Sequence, residues 1–274
     1  MKKIAALLAI LGLIAVLAAG CGGQKAATPQ APAAEKKSIK VGVTAGPHAE
    51  IIEQVKKAAA KDGLDIQIVE FNDYITPNIA LSQGDIDANS YQHQPFLDQQ
   101  VKDRKYEIVT IGKTVIFPMG IYSQKVKNLA DLKNGATVAI PNDPTNGGRA
   151  LLILAKAGII KLKADADIKA TVADITDNSK GLKIKELDAA QIPRSLGDVD
   201  AAAINTNYAI VAGLVPTRDA IIIEAADSPY ANIVVVRSKD KDDPVFQKLL
   251  KAYRSPEVKQ WIDEKYKGSV VAAW

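Results

Sequence analysis

Apolar periodicity constrains this chain most. Ile39, Val41 and Val43 alternate with small or polar residues, which is the period of a strand. After Gly46-Pro47 the period changes. Ile51, Ile52, Val55, Ala58 and Ala59 fall at helical spacing between His48 and Lys61, and Gly63 follows as a stop. Leu64, Ile66 and Ile68 read as strand again, Pro77 to Gln83 as a short helix, Ile86 to Ser90 as a strand, Gln94 to Lys102 as a helix and Glu107 to Ile111 as a strand. The scheme repeats with strand Thr137 to Ile140, helix Thr145 to Ala157, strands Leu182 to Leu187 and Asp200 to Ile204, and helix Tyr208 to Ala212. Two helices, Pro244 to Tyr253 and Pro256 to Tyr266, end the chain. Strands alternating with helices predict a parallel α/β architecture. The body from Ile39 to Trp274 is too long for one small domain and matches two compact lobes.

The residues before Ile39 read differently. Lys2 and Lys3 precede an apolar run from Ile4 to Ala19, and Ala18-Ala19-Gly20 leads into Cys21, the single cysteine. A basic start, a short apolar stretch and small residues make a secretory signal over 1–20, too short for a membrane-spanning helix. The ending LAAGC resembles a bacterial lipobox, although Ala18 stands where leucine is commoner. Cys21 is then lipidated and begins the mature chain. Residues 21–38 hold no large apolar side chain and read as a flexible tether. A lipid, a tether and a globular body place the protein at a membrane surface, facing the periplasm or the outside, and working in water.

The formal charge is +4, and +2 without Lys2 and Lys3. Lysines and acids are interspersed, so no basic face suggests nucleic acid.

Two segments echo each other. LSQGDIDANSYQ (Leu81 to Gln92) and SLGDVDAAAINTN (Ser195 to Asn207) both contain Gly-Asp-apolar-Asp-Ala before a polar run. Each suits a turn into a short buried strand. The residues beyond emerge at a strand's carboxyl end, where open α/β sheets bind ligands. The echo therefore puts Asn89, Tyr91 and His93 at the mouth of one lobe, and Asn205 and Asn207 at the mouth of the other. In a third segment, PNDPTNGGR (Pro141 to Arg149), Asp143 or Thr145 can cap a helix that begins with two glycines, small residues that let another group approach. Helix-end amides favour an anion there, and Arg149 offers a fork suited to a carboxylate. Neither phosphate-binding glycine pattern is present. Taken alone, Arg149 also fits a surface arginine paired with a local acid.

FNDY (Phe71 to Tyr74), Pro77-Asn78, YQHQPFLDQQ (Tyr91 to Gln100), PNDPTNGGR, AAQIPRS (Ala189 to Ser195), INTNYA (Ile204 to Ala209) and SPYANIVV (Ser228 to Val235) together resemble the methionine-binding lipoproteins of the MetQ/NlpA family. The resemblance spans about Ile39 to Trp274. It implies a type II periplasmic-binding-protein fold: two α/β lobes, a ligand cleft and two crossing segments near Phe117 to Tyr122 and Ala225 to Tyr230. Lobe I then comprises 39–117 and 229–274, and lobe II 118–228. The implied function is capture of L-methionine, or a close derivative, and its delivery to the permease and ATPase of an ABC importer. The same fold could serve another amino acid or a short methionine-containing peptide.

The resemblance also implies the site. Tyr74, Tyr91 and His93 surround the methionine side chain, Arg149 holds the carboxylate, and Asn205 and Asn232 hold the polar head. Phe96, three positions past His93, reads as a core residue. His48 fits either the cleft or a helix cap. Tyr91 stands where the family often has phenylalanine, and its hydroxyl needs a partner. No cofactor, catalytic set or metal site is expected, since metal capture would want a histidine-rich loop and Arg149 would repel a cation. A monomer is expected.

Overall fold

The computed structural model of the protein describes residues 38–225 and 229–274. The signal segment, Cys21 and the tether before Ser38 lie outside the described residues, as do Ala226, Asp227 and Ser228 in the second crossing segment.

The first run of elements is β1 (Ser38–Thr44), α1 (Pro47–Ala60), β2 (Asp65–Phe71), α2 (Thr76–Gln83), β3 (Ala88–Asn89), α3 (Gln94–Arg104) and β4 (Ile108–Ile116). The second run begins with β5 (Gly120–Tyr122), β6 (Thr137–Pro141), α4 (Pro144–Lys156), β7 (Lys161–Leu162), β8 (Ile175–Asp177) and β9 (Lys183–Leu187). It continues through α5 (Ile192–Ser195), β10 (Ala201–Ile204), α6 (Thr206–Val211), α7 (Pro216–Asp219) and β11 (Ile222–Ile223). The chain returns with β12 (Ala231–Arg237), α8 (Pro244–Tyr253), α9 (Pro256–Tyr266) and β13 (Val271–Ala272).

Two sheets organise these elements. One has the order β13-β4-β12-β3-β1-β2, the other β11-β5-β10-β6-β9. The chain passes from the first to the second between β4 and β5, and back between β11 and β12. The expected parallel pairing holds for β2, β1 and β3, and for β9, β6 and β10. It fails elsewhere: β12 is antiparallel to both β3 and β4, β13 to β4, and β5 to β10 and β11. The cause is connectivity. β4 carries the chain out of the first sheet toward the second, and β12 brings it back from there after the second sheet is complete, so the two neighbours run opposite ways.

Both sheets are covered on both faces, as parallel strands require. In the second, Val138, Ile140, Ala201 and Ala203 pack on the side of α4, while Ala139, Ala202 and Ile204 pack toward α5 and α6. In the first, Val41, Val43, Val234 and Val236 meet α1, α8 and α9, and Ile86, Ile233 and Val235 meet α2 and α3. Successive residues of a strand point to opposite faces, so these unbroken apolar runs feed two cores at once.

The echoed segments are used alike. Asp87 N donates to the Lys40 carbonyl at 2.8 Å, and Lys40 N donates to the Asp87 carboxylate at 2.9 Å. Asp200 N donates to the Thr137 carbonyl at 2.9 Å, and Thr137 N to the Asp200 carboxylate at 2.8 Å. Each aspartate fastens a short central strand to the start of its parallel neighbour, and each also meets a cation, Arg237 or Lys125. The residues beyond β3 and β10 therefore leave the two sheets in equivalent fashion.

Candidate functional site

Ends of parallel strands from both sheets converge on one cavity. His48 follows β1, Tyr74 follows β2, and Tyr91, Gln92 and His93 follow β3. Asn146 and Arg149 follow β6 on α4, while Asn205, Thr206 and Asn207 follow β10. Phe117 of the first crossing segment and Asn232 of β12 complete the wall with Phe96. All six residues expected at the site, Tyr74, Tyr91, His93, Arg149, Asn205 and Asn232, line the cavity.

Part of the wall is aromatic. Ring centroids lie 6.0 Å apart for Tyr74–Tyr91, 6.1 Å for Tyr74–Phe96, 6.3 Å for Tyr91–Phe96 and 6.2 Å for His93–Phe96. Phe96, expected in a core, is buried but packs within this aromatic group and faces the cavity. The Tyr91 hydroxyl donates to the Tyr74 carbonyl at 2.8 Å, so its partner is backbone. Tyr74 reaches across the cleft, donating to Asn207 Oδ1 at 2.5 Å. Burial pushes both tyrosine hydroxyls well above their ordinary pKa, which keeps them protonated donors.

The two histidines are pinned. His93 caps α3: its Nδ1 accepts from Phe96 N at 3.1 Å, and its Nε2 lies 3.2 Å from Asn146 Oδ1. His48 does not cap its helix. Its Nε2 lies 2.9 Å from Asn232 Nδ2 and its Nδ1 2.7 Å from Thr44 Oγ1, and its ring stands 4.3 Å from that of Phe117. Burial lowers both imidazoles to a pKa of about 3, so both are neutral at physiological pH. Among the described residues, Arg149 is then the only formally charged side chain lining the cavity.

Arg149 is only 3% exposed. Its Nε donates to both oxygens of Glu224 at 3.1 and 3.2 Å. Its Nη2 donates to the Phe117 carbonyl at 2.9 Å and also to Glu224. The face of Tyr230 stacks on the guanidinium, 4.2 Å from Cζ. Among the described residues Nη1 has no hydrogen-bond partner, so Nε and Nη2 are held and Nη1 alone is open. Sequence reading missed Glu224, because it lies 75 positions from its partner in an unremarkable stretch.

Of the two candidate caps of α4, Asp143 is the one used, accepting from Asn146 N at 2.9 Å, so the carboxylate at that helix end is the protein's own and not a ligand's. The group that approaches the two glycines is backbone. A Cβ on Gly147 would stand 2.8 Å from the Pro141 oxygen, and one on Gly148 would stand 2.7 Å from the Ile168 oxygen. Asn89 also sits elsewhere than expected. It is fully buried beneath the site, where its side chain joins those of Asn78 and Gln92 in a closed network.

On two of the residues that line the cavity, a buried polar atom has no hydrogen-bond partner among the described residues: Asn205 Oδ1 and Asn207 Nδ2. An acceptor and a donor left open beside a half-free guanidinium are what a small molecule carrying both donors and acceptors would complete.

The sequence model of the NlpA lipoprotein family matches residues 39–274. The chain is 47% identical over 276 residues to the D-methionine-binding lipoprotein MetQ of Salmonella typhi, covering 100% of this chain and 98% of that one. It is 45% identical over 276 residues, with the same coverage, to the protein of that name from Escherichia coli (strain K12). Among solved structures, a nutrient binding protein from Burkholderia cenocepacia bound to methionine is 58% identical, with a TM-score of 0.85 over 86% of this chain and 100% of that one. In its two-lobed α/β fold and in the sequence of its whole body, the chain belongs to the NlpA lipoprotein family.

Proposed function

We propose that the protein captures methionine in this cavity, with Arg149 and the asparagines meeting the zwitterionic head and Tyr74, Tyr91, His93 and Phe96 enclosing the thioether. One observation carries the reading. The half-held Arg149 fork and the two unpartnered asparagine atoms stand in the same cavity as Tyr74, Tyr91 and His93, three rings that each meet Phe96. A carboxylate would take Arg149 Nη1, an ammonium would donate to Asn205 Oδ1, and the apolar chain would gain by burial and by sulfur–aromatic contact. The methionine-bound neighbour and the names of the relatives support the choice of ligand.

Lobes divided at about 117/118 and 228/229 would close on the ligand through Tyr74–Asn207 and His93–Asn146, which span the cleft. A lipid on Cys21 would hold the protein at the membrane, where it would hand its ligand to an ABC permease driven by its ATPase. The cavity is a binding site, with no role for catalysis in this reading.

Calorimetry with L-methionine, D-methionine, norleucine and methioninamide tests the reading. One equivalent of a methionine isomer should bind with a negative heat-capacity change, norleucine should bind more weakly, and methioninamide should bind far more weakly. Binding of methioninamide as tightly as methionine would contradict the assignment of Arg149 to the carboxylate.

A further inference from the structure

We propose that Asp143 is a positioning residue that acts through Asn146 to present Asn205 Oδ1 as the acceptor for the ligand's ammonium group. The inference rests on the methionine reading and deepens it. The chain of contacts starts at a carboxylate, which when ionised can only accept. Asn146 Nδ2 lies 3.1 and 2.9 Å from the two oxygens of Asp143, so this end of the amide must be its NH₂. Asn146 Oδ1 therefore points the other way. His93 fixes the same orientation independently: its Nδ1 accepts from a backbone N–H, so the proton of the neutral ring sits on Nε2 and donates to Asn146 Oδ1.

That oxygen also accepts from Asn205 Nδ2 at 2.9 Å. With one N–H of its NH₂ given to Asn146, the Asn205 amide is fixed in direction, and its Oδ1 is left buried without a partner among the described residues, on a residue 7% exposed. Asn205 stands at the N-cap of α6, where an asparagine oxygen ordinarily accepts from the helix's first turn, and it makes no such bond. Its side chain forgoes the cap and is held by Asn146 instead. Carboxylate, amide, amide and ammonium would thus form one polarised line, each member setting the direction of the next. Asn207 lacks this constraint, because its partner is a tyrosine hydroxyl that can donate or accept.

Asp143→Asn tests the line and keeps the α4 cap, since asparagine caps as well as aspartate. Its amide can face Asn146 with a donor, which removes the fixed direction. Full-length protein in detergent would be titrated with L-methionine and with 4-methylthio-2-oxobutanoate, which has a keto oxygen where methionine has an ammonium. The variant should bind methionine about tenfold to a hundredfold more weakly and the keto acid as well as wild type or better. Asp143→Ser, which retains a capping hydroxyl, serves if the first variant does not fold, with the same ordering expected. An equal loss for both ligands would mean that Asp143 is merely structural, and no loss for either would mean that Asn205 is oriented without it. Either result overturns the inference. A wild-type protein that binds neither compound removes the methionine reading, and this inference with it.

Discussion

At the residue scale, partners decide what a substitution costs. The Tyr91 hydroxyl is spent on the Tyr74 carbonyl, so it is not needed to read a ligand. Tyr91→Phe should lower stability by about 1 kcal/mol, a typical net hydrogen bond, and leave methionine affinity within about the same margin. Tyr91→Ala should weaken binding clearly more by opening the aromatic wall. Calorimetry of both variants checks this, and abolished binding in Tyr91→Phe alone would contradict it. Arg149→Ala should cost on the order of 2–5 kcal/mol in binding, the usual penalty for removing one member of a desolvated charge pair. It would also strand the Glu224 carboxylate, whose side chain is only 11% exposed. Adding Glu224→Gln to Arg149→Ala should therefore restore part of the melting temperature and none of the affinity. The buried histidines give a pH dependence of known sign. Folded His48 and His93 take up a proton near pH 3, the unfolded rings near 6.5. Their stabilisation is complete above about pH 6.5 and is lost on acidification toward 3, by up to about 1.4 kcal/mol per pH unit for each ring. His93→Asn keeps a capping side chain without the titration, so its denaturant midpoint should fall less than that of wild type between pH 7.5 and 5. An equal fall would contradict the assignment.

At the scale of elements, propensity and packing disagree at Gly148. Alanine is favoured over glycine in a helix by about 1 kcal/mol, yet here its Cβ would press on the Ile168 oxygen and lie 3.0 Å from Ala170 N. Packing against backbone should win, and Gly148→Ala should destabilise the protein by about 1–3 kcal/mol; a raised denaturation midpoint would contradict this. Elements with a clear period were legible in the sequence. Both C-terminal helices match their expected bounds, and α1, α2 and α4 come within a residue or two at each end. β12 was not read as a strand although its residues drew notice, because a run buried on both faces does not alternate. The two-residue strands β11 and β13 exist only by pairing with distant partners, and no local pattern announces such pairing. The site divides in the same way. The residues expected there from the motifs stand on one cavity except Asn89, which lies buried beneath it, and Asn146, Thr206 and Gln92 became visible as wall only when the two sheets faced each other. Glu224 and the Asp143–Asn146–Asn205 line depend on contacts across 75 and 59 positions.

At the scale of the whole molecule, two sheets present equivalent strand ends to one cleft, each set by an aspartate that fastens a short central strand. Arg149 ties this cleft to both crossing segments, through the Phe117 carbonyl in the first and through the ring of Tyr230 in the second, and it also holds Glu224 just before the second. A ligand carboxylate on Nη1 would therefore report directly to the segments about which the lobes would turn. The claim beneath this account is that the cleft exists for methionine. Mass spectrometry of the small molecules released when the purified, undialysed protein is denatured tests it most directly. The account predicts methionine at close to one equivalent, or a protein that arrives empty and takes up one equivalent when methionine is supplied. Release of a different compound at one equivalent, from a protein that does not exchange it for methionine, would contradict it.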